Sequence, residues 1–331
     1  MSSQTPFIEK VHPAALSKEM TNYLALIVLE QSEEGLLHEL SNLQPHAKYT
    51  IGVVERPLSE DLRHFIKKIR KIGIPPIFVQ SRAPDFKCLS SDQPSYSVNL
   101  ISPGSNDGND FAAQWIAHPQ TAHLSWIGYQ TYLTHPELLA HLRNRYFSPL
   151  RLGSYRENFK SAEPLIRNNT LNFIDLASIR YSDAPDGDSH GPNGLYAEEI
   201  CQLARYIGVS THIDLCFIYG YPSTMGYSQM ITKLLAQILW HLFESLSTGQ
   251  NEDPLQPSQQ VLFTTKEVYI GDQNHILQFL FSNQTGRWWI KLCIDEETPC
   301  FIPCMYEEYA MALKGELPGT WLRHYQKINL L

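Results

Sequence analysis

Short runs of β-favouring apolar residues alternate with longer stretches of helical period over most of the chain. The run YLALIVL (23–29) is apolar throughout, as a strand buried on both faces requires, and YTIGVV (49–54) is another. Between that second run and IPPIFV (74–79), Leu62, Phe65, Ile66 and Ile69 recur at helical spacing. Ser59 can cap this helix, basic residues gather in its last turn, and Gly73 stops it. SVNLIS (97–102), HLSWIGY (123–129), LNFIDL (171–176) and IDLCFIYG (213–220) read as further strands. PELLAHLRNRYF (136–147), LYAEEICQLARYIG (195–208) and about 227–245 read as helices, the last burying Ile231, Leu234, Leu235, Ile238, Leu242 and Phe243. Strands alternating with helices predict crossover units: an α/β fold of three αβα layers around a mostly parallel sheet.

The pattern changes after Ser247. STGQNEDPLQPSQQ is polar and contains proline, and beyond it VLFTTKEVYI, HILQFLFS and RWWIKLCI follow one another at hairpin-like spacing, with a helical piece EEYAMALKG after them. The expected organisation is an α/β domain over 1–248, a linker over 249–260, and a small β-rich C-terminal extension over 261–331 packed on the body. Trp288 and Trp289 sit on opposite faces of one strand, so one ring should be buried and the other at least partly exposed.

Composition narrows the function classes. Of 331 residues 18% are charged, and the net charge of −8 lacks the basic footprint of a nucleic-acid binder. The N-terminal residues have no basic start and apolar core of a signal peptide, and no apolar run is long enough to cross a bilayer. The six cysteines form no C-x-x-C pair and read as reduced thiols of a cytoplasmic protein. There is no G-x-S-x-G elbow, G-K-[ST] phosphate loop or H-E-x-x-H.

One segment is dense in chemistry. FIDLASIRYSDAPDGDSHGPNG (173–194) holds Asp175, Asp183, Asp186, Asp188 and His190, with Arg180 and Asn193 between and beyond. Asp175 ends a strand, the place where ligands bind in open parallel sheets. The other aspartates also suit plain turns in a Gly/Pro/Ser-rich loop. A calcium loop fails on register: with Asp186 at position one, the bidentate position twelve is Ala197.

The segment also resembles a motif region of the arginase/agmatinase/formimidoylglutamase (ureohydrolase) family, in particular its Bacteroidetes formimidoylglutamase-like branch. Ala184-Pro185 and Pro192-Asn193-Gly194-Leu195 carry the similarity in the loop. IGYQTY, RLG, EPLIR, AQILWHLFE, RWWIK, PCMYEEY and LPGTWLRHYQK extend it from about Tyr49 to the C-terminus. The resemblance implies an arginase-like fold and hydrolysis of a guanidino or formimino carbon–nitrogen bond. In that family two Mn²⁺ ions, held by about six carboxylate and histidine ligands, activate the water. Only Asp175 falls on a ligand position. The others read Ala177, Arg180-Tyr181, Gln80-Ser81-Arg82, SPGSND after VNLI, Gly220 and Gly226.

The expectation is therefore a ureohydrolase-fold pseudoenzyme without catalytic or metal residues and without Mn²⁺. It would act as a binding or scaffold protein towards a protein partner or small ligand, away from nucleic acid and membrane, and as a homo-oligomer by resemblance. Asp175, Arg180, Asp183, His190 and Asn193 are its candidate pocket residues, with Asp175 and Arg180 expected to pair where metals would sit. The alternatives are an active formimidoylglutamase-type hydrolase and a small-molecule sensor using the old pocket.

Overall fold

The computed structural model describes residues 7–17, 20, 22–57, 59–90, 93–185, 191–210, 212–221, 229–249, 252–271, 275–293 and 299–330. The first nine strands are β1 (Ile8–Lys10), β2 (Ala25–Leu29), β3 (Ile51–Glu55), β4 (Pro76–Gln80), β5 (Tyr96–Ile101), β6 (Thr121–Tyr129), β7 (Ser148–Arg151), β8 (Leu171–Asp175) and β9 (Leu215–Tyr219). They form one sheet in the order β1-β3-β2-β4-β9-β8-β5-β6-β7, and every pairing is parallel. β9 is the last of them in the chain yet lies near the middle, between β4 and β8.

Strand periodicity distributes the core. In β2, Ala25, Ile27 and Leu29 belong to one apolar cluster, and Leu26 and Val28 to the other. The first cluster is completed by helices including Ala197–Gly208 and Gln229–Ser247, the second by Leu62–Arg70, Phe111–Ala117 and Pro136–Asn144. These are the three αβα layers expected from the sequence. The reading missed the short strands β1 and β7 at the two sheet edges and the helices Glu34–Ser41 and Phe111–Ala117. The latter is capped by Asp110, whose side chain accepts from Ala113 N at 2.9 Å. No helix among the described residues is long and apolar enough to cross a membrane.

The C-terminal extension is a separate antiparallel meander of β10 (Phe263–Ile270), β11 (His275–Ser282), β12 (Trp288–Cys293) and β13 (Pro299–Cys304), followed by helices Tyr306–Ala312 and Gly319–Leu330. β13 and the last helix were not foreseen. Trp289 is buried and Trp288 half-buried, stacked on Tyr309 at 4.7 Å.

Polar groups join the extension to the body. Arg167, 2% exposed, forks onto Glu163 at 2.9 and 2.5 Å and donates to Trp288 O at 2.8 Å; its guanidinium lies 4.5 Å from the centre of the Trp289 ring. Arg287 reaches Glu163 at 3.2 Å and Val209 O at 2.9 Å. Burial pushes the Glu163 carboxyl up, but the charges of Arg167 and Arg287 outweigh it and hold the group below the usual carboxylate range. Glu252, in the segment read as a linker, is buried and accepts from Ser282 Oγ and from Thr285 Oγ1.

Candidate functional site

The carboxyl ends of β2, β4, β9, β8 and β5 converge where an open parallel sheet places its ligand. The side chains there are engaged with the protein itself. Gln80 Nε2 donates to Arg82 O at 2.5 Å, and Ser102 Oγ accepts from the Trp126 indole at 2.8 Å. Glu30 accepts from both Ser81 N and Ser81 Oγ at 3.2 Å. Aromatic rings pack close by: Phe111 lies 4.8 Å from Phe173 and 5.9 Å from Tyr219. The crevice between Glu30, Glu33, Gln80, Ser81 and Tyr221 has a volume of about 10 Å³, room for one water molecule.

Asp175 ends β8, and its Oδ1 accepts from Ala177 N at 2.9 Å, opening a single 3-10 turn over Leu176–Ser178. Burial among protein atoms raises its pKa to about 7, and the neighbouring Asp110 charge adds to the rise while the Ala177 N–H opposes it. Part of the side chain still meets water, which screens the charge and softens the effect. Gly220, at φ +87°, follows β9; a Cβ there would stand 3.5 Å from Asp175 Oδ1. The chain direction at this point thus suits glycine, and an acidic side chain in its place would be both strained and beside a second carboxylate.

The expected Asp175–Arg180 pair is not formed. The 3-10 turn carries the chain away, and Arg180 Nε donates to Asp183 Oδ1 at 2.7 Å, with its guanidinium 4.1 Å from the Tyr196 ring centre. Asp183 accepts in addition from Ala197 N at 2.9 Å, at the start of the helix Ala197–Gly208. Asp183 is therefore a helix cap whose charge is balanced by Arg180. Desolvation raises its pKa, but Arg180 and the Ala197 N–H prevail and lower it. Asn193 stands apart, its O accepting from Gln130 and its Nδ2 donating to Tyr132 OH at 3.4 Å. The next residue, Gly194, passes so close to Arg180 N that a Cβ would lie 2.5 Å from it. His190, with Asp186, Asp188 and Gly226, lies outside the described residues.

A dimanganese centre needs several carboxylates and histidines converging on one point. The described residues do not fit one: at the strand ends Asp175 faces Asp110, Gln80 and Ser102 are bonded inward, and no three His, Cys, Asp or Glu side chains among the described residues gather to hold a metal.

Sequence reasoning missed a larger cavity at the opposite, amino-terminal edge of the sheet. It has a volume of about 250 Å³ and lies between the starts of β5, β6 and β7 and the extension's β13 and last helix. His123, Arg323, His324 and Lys327 line it. The spacing of Arg323, His324 and Lys327 on one helix was its available signal, but that helix had not been recognised.

Structural comparison identifies the fold. Formiminoglutamase from Trypanosoma cruzi, solved with Mn²⁺, superposes with a TM-score of 0.58 at 12% identity, over 72% of this chain and 98% of that one. Formimidoylglutamase from Bacillus subtilis superposes at 0.55 with 13% identity, over 76% and 91% of the two chains. Arginase from Bacillus cereus gives 0.53 at 10%, over 67% and 98%. No protein-family model and no curated protein matches the sequence. The chain has the arginase (ureohydrolase) fold, as the sequence resemblance implied.

Proposed function

We propose that this chain is a non-hydrolytic form of the ureohydrolase fold, acting by binding rather than by amidine hydrolysis. The observation that carries this reading is the state of the strand ends. Where paired metals require free carboxylates and imidazoles, Gln80, Ser102 and Glu30 are hydrogen-bonded to the protein and Asp175 stands beside Asp110. The narrow crevice and the packed rings of Phe111, Phe173 and Tyr219 favour the same reading.

The test is metal analysis of the purified full chain together with turnover. The reading expects no stoichiometric manganese, no rise in melting temperature on adding Mn²⁺, and no urea or formamide from guanidino or formimino substrates. About two equivalents of tightly held Mn²⁺ with product release would overturn it.

A further inference from the structure

The chain carries 34 acidic and 26 basic residues, yet among the described residues no aspartate or glutamate lines the cavity at the amino-terminal edge of the sheet. Tyr146 and Cys300 also line it, the Cys300 thiol pushed up by burial, but its basic side chains come from two parts of the chain. His123 rises from the start of β6, and Arg323, His324 and Lys327 come from the helix Gly319–Leu330. The two imidazoles stack with ring centres 5.9 Å apart. Arg323 donates to Ser148 Oγ at 2.9 Å and Lys327 to Ala122 O, so neutral groups hold the cations in place. Neither makes an ion pair among the described residues; Glu308 lies near Arg323, and Arg145 adds a further positive charge near Lys327. The walls are otherwise apolar or neutral, with Leu165, Phe301 and Pro303 among them.

Cations gathered in one cavity repel one another and lose hydration. Desolvation, aided by Arg145, lowers Lys327 to about 8. Desolvation, with the charges of Lys327 and its neighbours, also holds His123 and His324 below the ordinary histidine range. His123 keeps an exposed surface towards the cavity, so its ring remains accessible.

We propose that this cavity binds a small molecule through an oxyanion, carboxylate or phosphoryl, held by Arg323 and Lys327 with the imidazoles of His123 and His324 beside it. The planar guanidinium can take two oxygens side by side, and the ammonium supplies a point charge. The volume, just below the ~300–1,000 Å³ of drug-sized sites, suits a compact metabolite whose carbon portion lies against the apolar walls. The site depends on the extension, because the body provides neither Arg323 nor Lys327. The proposal does not rest on the loss of metal at the other end of the sheet, and manganese content is read separately.

Binding an anion favours the protonated forms of His123, His324 and Lys327, so affinity should strengthen as pH falls from 8 to 6. Arg145, near Lys327, stays cationic over that range and does not reverse the trend.

The test adds inorganic phosphate or succinate to the full chain, against chloride at matched ionic strength. The readouts are melting temperature, calorimetric affinity and histidine C2–H resonances. A saturable stabilisation by either probe, with the imidazole pKa values of His123 and His324 raised on binding, supports the site. Phosphate alone would mark a phosphoryl ligand, and succinate alone an organic acid. Arg323→Gln and Lys327→Gln should each weaken binding about tenfold or more, the effect of losing a charge-assisted hydrogen bond. If those variants fail to fold, His123→Gln provides the test, because the His123 side chain makes no hydrogen bond to the protein among the described residues and its replacement should still weaken binding. No response beyond chloride, histidine resonances unmoved at saturating probe, or binding unchanged in all the folded variants would overturn the proposal.

Discussion

The two ends of the parallel sheet have opposite character. At the carboxyl ends Gln80, Ser102, Glu30 and Asp175 turn their hydrogen bonds into the protein, and the crevice beside Glu30 and Gln80 measures about 10 Å³. At the amino ends a cavity of about 250 Å³ holds cations, with no acidic residue in its wall among the described residues. The first is where this architecture ordinarily presents a ligand. The second exists because the extension covers the starts of β5–β7. A shared fold thus fixes where the strand ends lie, while the side chains and an added sheet decide which end offers open, charged space.

Breaking the joint that creates the second region should have the largest effect. Arg167→Ala leaves Glu163 with only Arg287, and also loses the bond to Trp288 O and the contact with the Trp289 ring. It should cost about 3–5 kcal/mol in urea denaturation, as removal of one partner of a buried pair does. Glu163→Ala in the same chain should return part of that loss; strictly additive costs would show that the pair is not coupled.

Asp175→Asn should act in the other direction at the first region. Asparagine keeps the acceptor for Ala177 N and removes the charge. The folded pKa of about 7 exceeds the unfolded value, so the native state binds the extra proton and stability falls as pH rises from about 4 to 7. The variant should therefore gain up to about 2–3 kcal/mol at pH 8, after allowing for solvent screening, and nothing at pH 4. Equal melting-temperature shifts at both pH values would contradict a raised pKa.

The smallest stability effect is expected in the cavity. Lys327→Met loses the bond to Ala122 O but removes a desolvated charge, so the net change at pH 7 should stay within about 1 kcal/mol. Its folded pKa of about 8 lies below the unfolded value, so the wild type should gain stability as pH rises from 8 towards 10, and the variant should lose that slope. A slope retained in the variant would assign it to another group.

The central strands were legible because burial on both faces leaves continuous apolar runs, as in YLALIVL and LNFIDL. β1 and β7 have only three and four residues and sit half-exposed at the edges, so neither leaves a period to read. Asp183 and Arg180 were legible as a polar cluster but not as a capped helix start, since that depends on how the turn at Leu176–Ser178 directs the chain. The basic cavity was not legible, because His123 and Lys327 meet only once β6 and the last helix are packed together.

The placement of β9 carries a consequence for synthesis. Until it enters, the large sheet is two disconnected pieces, β1-β3-β2-β4 and β8-β5-β6-β7, each with a bare inner edge at β4 or β8. A nascent chain that has not yet released Leu215–Tyr219 from the ribosome therefore presents two unpaired strand edges to solvent or to each other. Both wait for the same five-residue segment, IDLCFIY less its first two residues, and any pause in translation shortly before it prolongs the interval in which mispairing and chaperone capture compete with closure.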